Sequence, residues 1–267
     1  MFYIVEEESK LKSLENLVRL GCYVDVISTN DSYHPKLTDV VAVYVRLLKS
    51  DHGYIIPVNH EEGLNVDKTR IYEVLSKASK LYTLNKKTLL YYFNLQDAID
   101  VSLLHSMTKY ERLEYSKDSN VLNFFYNKFR THKNINQLIP IAKLYEAADK
   151  LYDSIKQSIN IDIPEGFDFY NKTATNVFYL LEQGGIGVYY DAFNKMFSPR
   201  DPLYNTIDNK VLTKYNLYNV TSRPTNAFNS VNFAAIPKTP EHRKTFRPTG
   251  DYFVEFDFDG YHLRLLC

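Results

Sequence analysis

Val40-Val-Ala-Val-Tyr-Val-Arg-Leu-Leu48, then Lys49-Ser-Asp-His-Gly53, then Tyr54-Ile-Ile-Pro-Val58 is the stretch that decides the fold. β-Branched and aromatic residues fill the first run, turn residues follow, and a second apolar run returns as its hairpin partner. Gly21 to Ile27 reads as a strand ahead of this hairpin. From Asp67 onward, Ile71, Val74, Leu75, Ala78 and Leu81 recur at helical spacing. Thr88 to Phe93 reads as a fourth strand and Asp100 to Met107 as a helix. Phe125 to Pro140 reads as a polar, basic connector. Ile141 to Ile155 is an amphipathic helix with Leu144, Ala148, Leu151 and Ile155 on one stripe. The order β-β-β-α-β-α predicts an α/β (α+β) protein, a mixed sheet flanked by helices.

The chain has 267 residues, enough for one large or two modest domains. Its formal net charge is zero, which excludes a global field attracting nucleic acid. The distribution is uneven. Between Asn209 and Pro248, Lys210, Lys214, Arg223, Lys238, Arg243, Lys244 and Arg247 stand against Glu241 alone. That is either a solvated loop face or a local nucleic-acid contact segment. Cys22 and Cys267 lie at opposite ends with no CxxC pair, so a disulfide framework is excluded and a reducing compartment is expected. The acidic start Met1-Phe-Tyr-Ile-Val-Glu-Glu-Glu is not a signal peptide, and no apolar run is long enough to span a bilayer. His34, His52, His60, His105 and His132 show no metal-ligand spacing. A glycosylation sequon begins at Asn219, without other signs of secretion.

The end of the chain is Gly250-Asp-Tyr-Phe-Val-Glu-Phe-Asp257-Phe258-Asp259-Gly-Tyr-His262-Leu-Arg264-Leu-Leu-Cys267. An aromatic strand delivers a carboxylate at Asp257, a good support for a hard divalent cation. This end resembles the first catalytic motif of the family A DNA polymerases, D-Y-S-Q-I-E-L-R-x-L. The resemblance puts the metal-binding aspartate at Asp257 and the Leu-Arg pair at Leu263 and Arg264. It puts the glutamate that screens the nucleotide sugar at His262, so sugar selectivity is expected to be altered. Upstream, Thr221-Ser222-Arg223-Pro224-Thr225-Asn226, then Val231-Asn232-Phe233-Ala234-Ala235-Ile236-Pro237, then Arg243-Lys244-Thr245-Phe246-Arg247-Pro248 follow the family's T-G-R-L-S-S, P-N-L-Q-N-I-P and basic blocks in order. Leu181-Glu182-Gln183-Gly184-Gly185-Ile186-Gly187-Val188-Tyr189-Tyr190-Asp191 looks like the E-x-x-G-I-x-V-D segment that opens the family's polymerase domain.

The resemblance implies two Mg2+ ions, with Asp257 and the Phe258 main-chain carbonyl as ligands, and Arg223 holding the primer terminus. Thr225, Asn226, Asn232, Arg243, Lys244 and Arg264 would contact DNA, and primer-template DNA and a dNTP would be the partners. The segment before the polymerase domain is similar to the family's ribonuclease H-like 3′–5′ exonuclease. Its third motif, Y-x-x-x-D, matches Tyr145-Glu-Ala-Ala-Asp149. Its first, D-x-E, reads Asp25-Val26-Ile27, so an isoleucine stands where a metal ligand belongs. Asp25 is then either the remaining ligand or a strand-end turn carboxylate. The second motif, N-x-x-x-D after a strand, is blurred across Asn94 to Asp100, and either Asp97 or Asp100 could supply it. The expectation is a vestigial exonuclease domain over 1–157, followed over 158–267 by an incomplete polymerase domain: a reduced thumb and the palm through its first motif.

The family's fingers helix and its second palm aspartate have no match. The reading is therefore a polymerase portion completed by a second polypeptide, as in a split phage gene, or a truncated product, acting in the host-cell cytoplasm. Two other readings stand beside it: a non-catalytic DNA-binding scaffold with a dead exonuclease domain, and a retained nuclease.

Overall fold

The computed structural model describes residues 2–115, 119–197, 206–219, 224–227 and 231–254. The chain opens with strand β1 (Phe2–Ile4) and helix α1 (Glu8–Val18), which buries Leu11, Leu14 and Val18. Strands β2 (Cys22–Ser28), β3 (Val40–Leu47) and β4 (Gly53–Pro57) form an antiparallel meander, the hairpin expected from the quoted stretch. Helix α2 (Lys68–Leu75) leads to β5 (Leu81–Thr83), and helix α3 (Lys86–Phe93) leads to β6 (Ile99–Asp100). Both β5 and β6 join the sheet parallel to their neighbours, giving the order β1-β4-β3-β2-β5-β6. Helices α4 (Val101–Lys109), α5 (Ser119–Lys128) and α6 (Ile141–Ile159) follow. This is a mixed α/β sheet with helices on both faces.

Two expectations are corrected. Thr88 to Phe93 is helical, and the strand that follows the hairpin is β5, Leu81–Thr83. The helix from Asp67 stops at Leu75, because Leu81 belongs to the strand that pairs with Cys22. The sequence between Phe125 and Pro140 is partly helical too, through the end of α5 and a short 3-10 turn at Ile135–Leu138.

The sheet's two faces bury separate cores. Val24, Val26, Val43, Val45 and Ile56 pack with α1, α2 and α3 on one side. Tyr23, Tyr44 and Ile55 pack with Leu144, Tyr145, Ala148, Leu151 and Ile155 of α6 on the other. Alternation along each strand sends successive side chains to opposite faces.

Beyond α6, a π-helical stretch (Phe169–Ala174) runs into helix α7 (Thr175–Gly184). Strand β7 (Ile186–Gly187), helix α8 (Tyr190–Phe197) and strands β8 (Thr206–Ile207) and β9 (Lys210–Val211) come next, with the three strands in one small sheet ordered β7-β9-β8. Strands β10 (Tyr215–Asn216) and β11 (Thr225–Asn226) pair antiparallel, and a short helix α9 (Pro240–Arg243) closes the described chain. The core here is small: Val188, Phe193, Val211 and Val231, with partly buried aromatics around them. Among the described residues, no helix is long and apolar enough to cross a membrane.

Candidate functional site

Asp25 sits on β2 opposite Tyr44, on the face that packs against α6. It lines a cavity of about 130 Å3 together with Ile27, Asp31, Leu144, Ala148 and Leu151. Its Oδ1 accepts a hydrogen bond from the Val26 amide at 3.1 Å.

The Y-x-x-x-D pair lies elsewhere. Asp149 Oδ1 accepts from the Tyr44 hydroxyl at 2.6 Å and from Arg46 Nη1 at 2.8 Å, both on β3. Arg46 also lies 5.3 Å from the centre of the Tyr152 ring. Burial, helped by the Asp149 carboxylate, pushes the Tyr44 hydroxyl well above the usual phenol range. Tyr145 stacks on Phe2 at 4.6 Å and reaches over β4, where a Cβ on Gly53 would meet its hydroxyl at 2.3 Å. Any side chain there would push the Tyr145 ring aside.

Asp97 is exposed in the turn before β6. Asp100 is fully buried and caps α4: its Oδ1 accepts from the Leu103 amide at 3.0 Å, and its Oδ2 from the Lys86 amide at 2.9 Å and the Tyr218 hydroxyl at 2.8 Å. Burial raises its carboxyl, against those hydrogen bonds. The second-motif segment also follows a helix rather than a strand.

These carboxylates do not converge. Asp25 lines two adjoining cavities with Asp31, Asp149 is neutralised by a guanidinium, and Asp100 serves a helix cap. Among the described residues, no group of three or more His, Cys, Asp or Glu could hold a metal ion. A two-metal site needs several carboxylates free of such partners, so this donor set does not fit Mg2+.

The second half brings two of the sequence blocks together. Helix α7 ends in Gly184-Gly185, with Gly185 at φ +61° and a Cβ there 3.0 Å from the Val211 carbonyl. At Gly187 a Cβ would lie 2.7 Å from the Arg247 carbonyl. The Arg247 amide donates to the Gly187 carbonyl at 2.9 Å, the Tyr189 amide to the Thr245 carbonyl at 2.8 Å, and Val188 bridges Phe246. The Arg243–Arg247 block is thereby laid along the glycine segment, and Arg243, Lys244 and Arg247 are exposed on it. Thr225 and Asn226 lie on β11. Asn226 Nδ2 donates to Thr213 Oγ1 at 2.8 Å, and Thr213 Oγ1 to the Val231 carbonyl at 2.7 Å. Asn219 Nδ2 donates to Thr225 Oγ1 at 3.0 Å, and Asn232 is exposed. Arg223, Asp257, Phe258, His262 and Arg264 lie outside the described residues.

A buried polar seam, invisible in the sequence, joins the two halves. Lys87 Nζ pairs with Glu182 Oε1 and donates to the Tyr215 carbonyl. The Tyr215 amide donates to the same Glu182 oxygen at 2.6 Å. Lys86 Nζ donates to the Asn171 carbonyl at 2.8 Å, Asn171 Oδ1 accepts from the Asp100 amide at 3.1 Å, and Asn171 Nδ2 donates to the Ala98 carbonyl at 3.0 Å. Burial lowers Lys86 to about 8. Lys86 and Lys87 carry no pattern that marks them as buried. Glu182 does carry a signal, as the glutamate of the E-x-x-G block.

No family model matches the chain, and no curated protein matches it in sequence. Among solved structures, the polymerase domain of Pol1 from M. smegmatis, in complex with DNA primer-template and dNTP, is similar over 91% of this chain and 57% of its own, at 12% identity and a TM-score of 0.52. This chain thus spans little over half of that one. Trypanosoma brucei RNase D is similar over 67% of this chain and 73% of its own, at 10% identity and a TM-score of 0.46. The Aedes aegypti Nibbler EXO domain is similar over 62% of this chain and 94% of its own, at 17% identity and a TM-score of 0.37. At the identity of the first, the likeness shows the fold.

Proposed function

We propose that this chain is the amino-terminal portion of a family A-type, phage-type DNA polymerase, with an exonuclease-type domain over 1–157 that no longer digests DNA and a polymerase segment over 158–267. The observation that carries the reading is the junction at Gly187. Two blocks that follow the polymerase order in sequence, Glu182–Val188 and Arg243–Arg247, are hydrogen-bonded neighbours. That junction sets three exposed cations on one short stretch leading toward Asp257. Exposed Lys and Arg on a surface segment suit phosphates, which position nucleic acid without reading its sequence.

In this reading, Arg243 and Lys244 hold the backbone, with Thr225, Asn226, Asn232, Arg223 and Arg264 along the primer-template. Asp257 and the Phe258 carbonyl hold Mg2+, and His262 stands at the sugar of the dNTP. Synthesis joins the primer 3′ oxygen to the α-phosphorus and releases pyrophosphate. The fingers and the remaining palm carboxylate come from a second polypeptide. The test is primer extension by this chain mixed with the polypeptide encoded immediately downstream, with Asp257→Ala as control. Synthesis in the mixture, lost in the variant, is the expected result. DNA binding without synthesis, unchanged by Asp257→Ala, would overturn it. That outcome would favour a non-catalytic scaffold, a reading to which the Arg46–Asp149 pair also lends support.

A further inference from the structure

On the face of the sheet away from α6, helices α2, α3 and α7 enclose a groove of about 520 Å3. That is within the roughly 300–1,000 Å3 typical of ligand clefts. Its walls are aromatic: Tyr72, Tyr91, Tyr92 and Tyr179 line it, with Lys68 and Thr69 at the rim. Among the described residues, no acidic residue lines it. Tyr72 is exposed, and Tyr91 and Tyr179 stand edge to face at 4.9 Å. Lys68 lies over the Tyr92 and Phe93 rings, 5.7 and 5.6 Å from their centres. Among the described residues it makes no ion pair, and although the residue is exposed, its ammonium is partly desolvated against those rings. Burial lowers its pKa, with Asp39 as the one opposing charge. An anion at the rim would supply the missing counter-charge, and a flat ring could lie against the tyrosines.

Stacking on aromatic side chains beside a cation is how single strands are held without sequence preference. We propose that this groove binds single-stranded nucleic acid, one base against the tyrosine wall and its phosphate on Lys68. The inference does not rest on polymerase chemistry. It lies on the opposite face of the sheet from Asp25 and apart from the Arg243–Arg247 block.

The test is fluorescence anisotropy of 5′-fluorescein-labelled dT15 titrated with the whole chain and four variants. Lys68→Glu and Tyr72→Ser change exposed side chains and leave the core intact. Lys156→Glu places the same charge change on α6, and the double variant Arg243→Ala/Lys244→Ala probes the basic block. The expected result is a loss of affinity of about tenfold in Lys68→Glu and in Tyr72→Ser, the scale of one stacked base. Lys156→Glu should change it by less than about twofold, and unlabelled dTMP should compete far more weakly than unlabelled dT15. Equal affinities for wild type, Lys68→Glu and Tyr72→Ser would overturn the proposal, whatever the double variant does. Absence of dT15 binding, with self-association that Tyr72→Ser removes in sedimentation, would assign the groove to a second copy and overturn it as well.

Discussion

The sheet of residues 2–159 and the segment from 160 to 254 are held by different forces. The first has two apolar cores, one on each face, and its hairpin strands are almost wholly buried. Among the described residues, the second has four buried apolar side chains in its own cluster and two- or three-stranded sheets two residues long. Isolated ribbons of that kind are marginal in water. What fixes them is contact with the first region: the polar links of Lys87 to Glu182 and Tyr215, Lys86 to Asn171 and Tyr218 to Asp100, beside a small apolar cluster of Phe167 and Tyr218 with Leu103 and Leu104. A buried ion pair contributes little net stability, yet removing one partner is costly, because a charge is left without compensation. The seam therefore specifies where the second region sits more than it adds to overall stability.

The largest effect should come from breaking that seam. Glu182→Ala strands the Lys87 ammonium and removes the acceptor of the Tyr215 amide, and should cost about 3–5 kcal/mol in urea unfolding. Limited proteolysis should then cut within 160–254 while leaving the sheet intact. A cost below about 1 kcal/mol would mean the second region stands by its own core, and the contrast drawn above would fail.

A smaller effect is expected inside the first region. Asp149→Ala leaves Arg46 and the Tyr44 hydroxyl short of an acceptor, at a cost of about 1–3 kcal/mol. It should leave 3′–5′ digestion of DNA at the same negligible level, with or without Mg2+. Robust metal-dependent digestion that Asp149→Ala abolishes would show a working nuclease and reverse the reading of that pair.

The next expectation is a pH dependence. Lys86 has its native value near 8 against an ordinary 10.5. The unfolded chain therefore holds this proton up to about pH 10.5, and the native chain loses it near pH 8. Its contribution is flat below pH 8 and rises in favour of the fold between about 8 and 10.5. Comparing urea midpoints of wild type and Lys86→Met across that window should reveal an added upward slope in the wild type, worth about 3 kcal/mol in total. Parallel curves would exclude Lys86 as its source.

The smallest effect on folding should come from the surface. Arg243→Ala with Lys244→Ala should change stability by less than about 0.5 kcal/mol. The same pair should lower the slope of log affinity for duplex DNA against log salt by about two. An unchanged slope would remove the basic block from the nucleic-acid surface.

Much of the sheet is legible because runs of β-branched and aromatic residues on either side of turn residues name a hairpin directly. Thr88–Phe93 departs from its strand-like composition for a physical reason. Thr, Tyr and Phe favour strands, but Asn85 accepts the Thr88 amide as a helix cap and Asn94 ends the run at φ +50°. Lys86, Lys87, Leu89, Leu90, Tyr92 and Phe93 are the buried set, a helical period that the two lysines disguised. Extending the preceding helix to Leu81 absorbed the true strand, so one error produced the other. In the site, the Ile27 departure already marked the exonuclease motif as incomplete. The Arg46–Asp149 pair was not readable, because nothing in a sequence places an arginine of one strand against a helix a hundred positions later. Glu182 was legible as a motif residue, but its partner Lys87 was not.

The contact at Gly187 ties the chain's history to its shape. Any side chain at position 187 would collide with the backbone at 247, so the two places cannot drift independently. A lineage that exchanged this glycine would have to reroute the basic stretch in the same step. The two blocks are then one heritable unit, and related sequences should keep or lose them together.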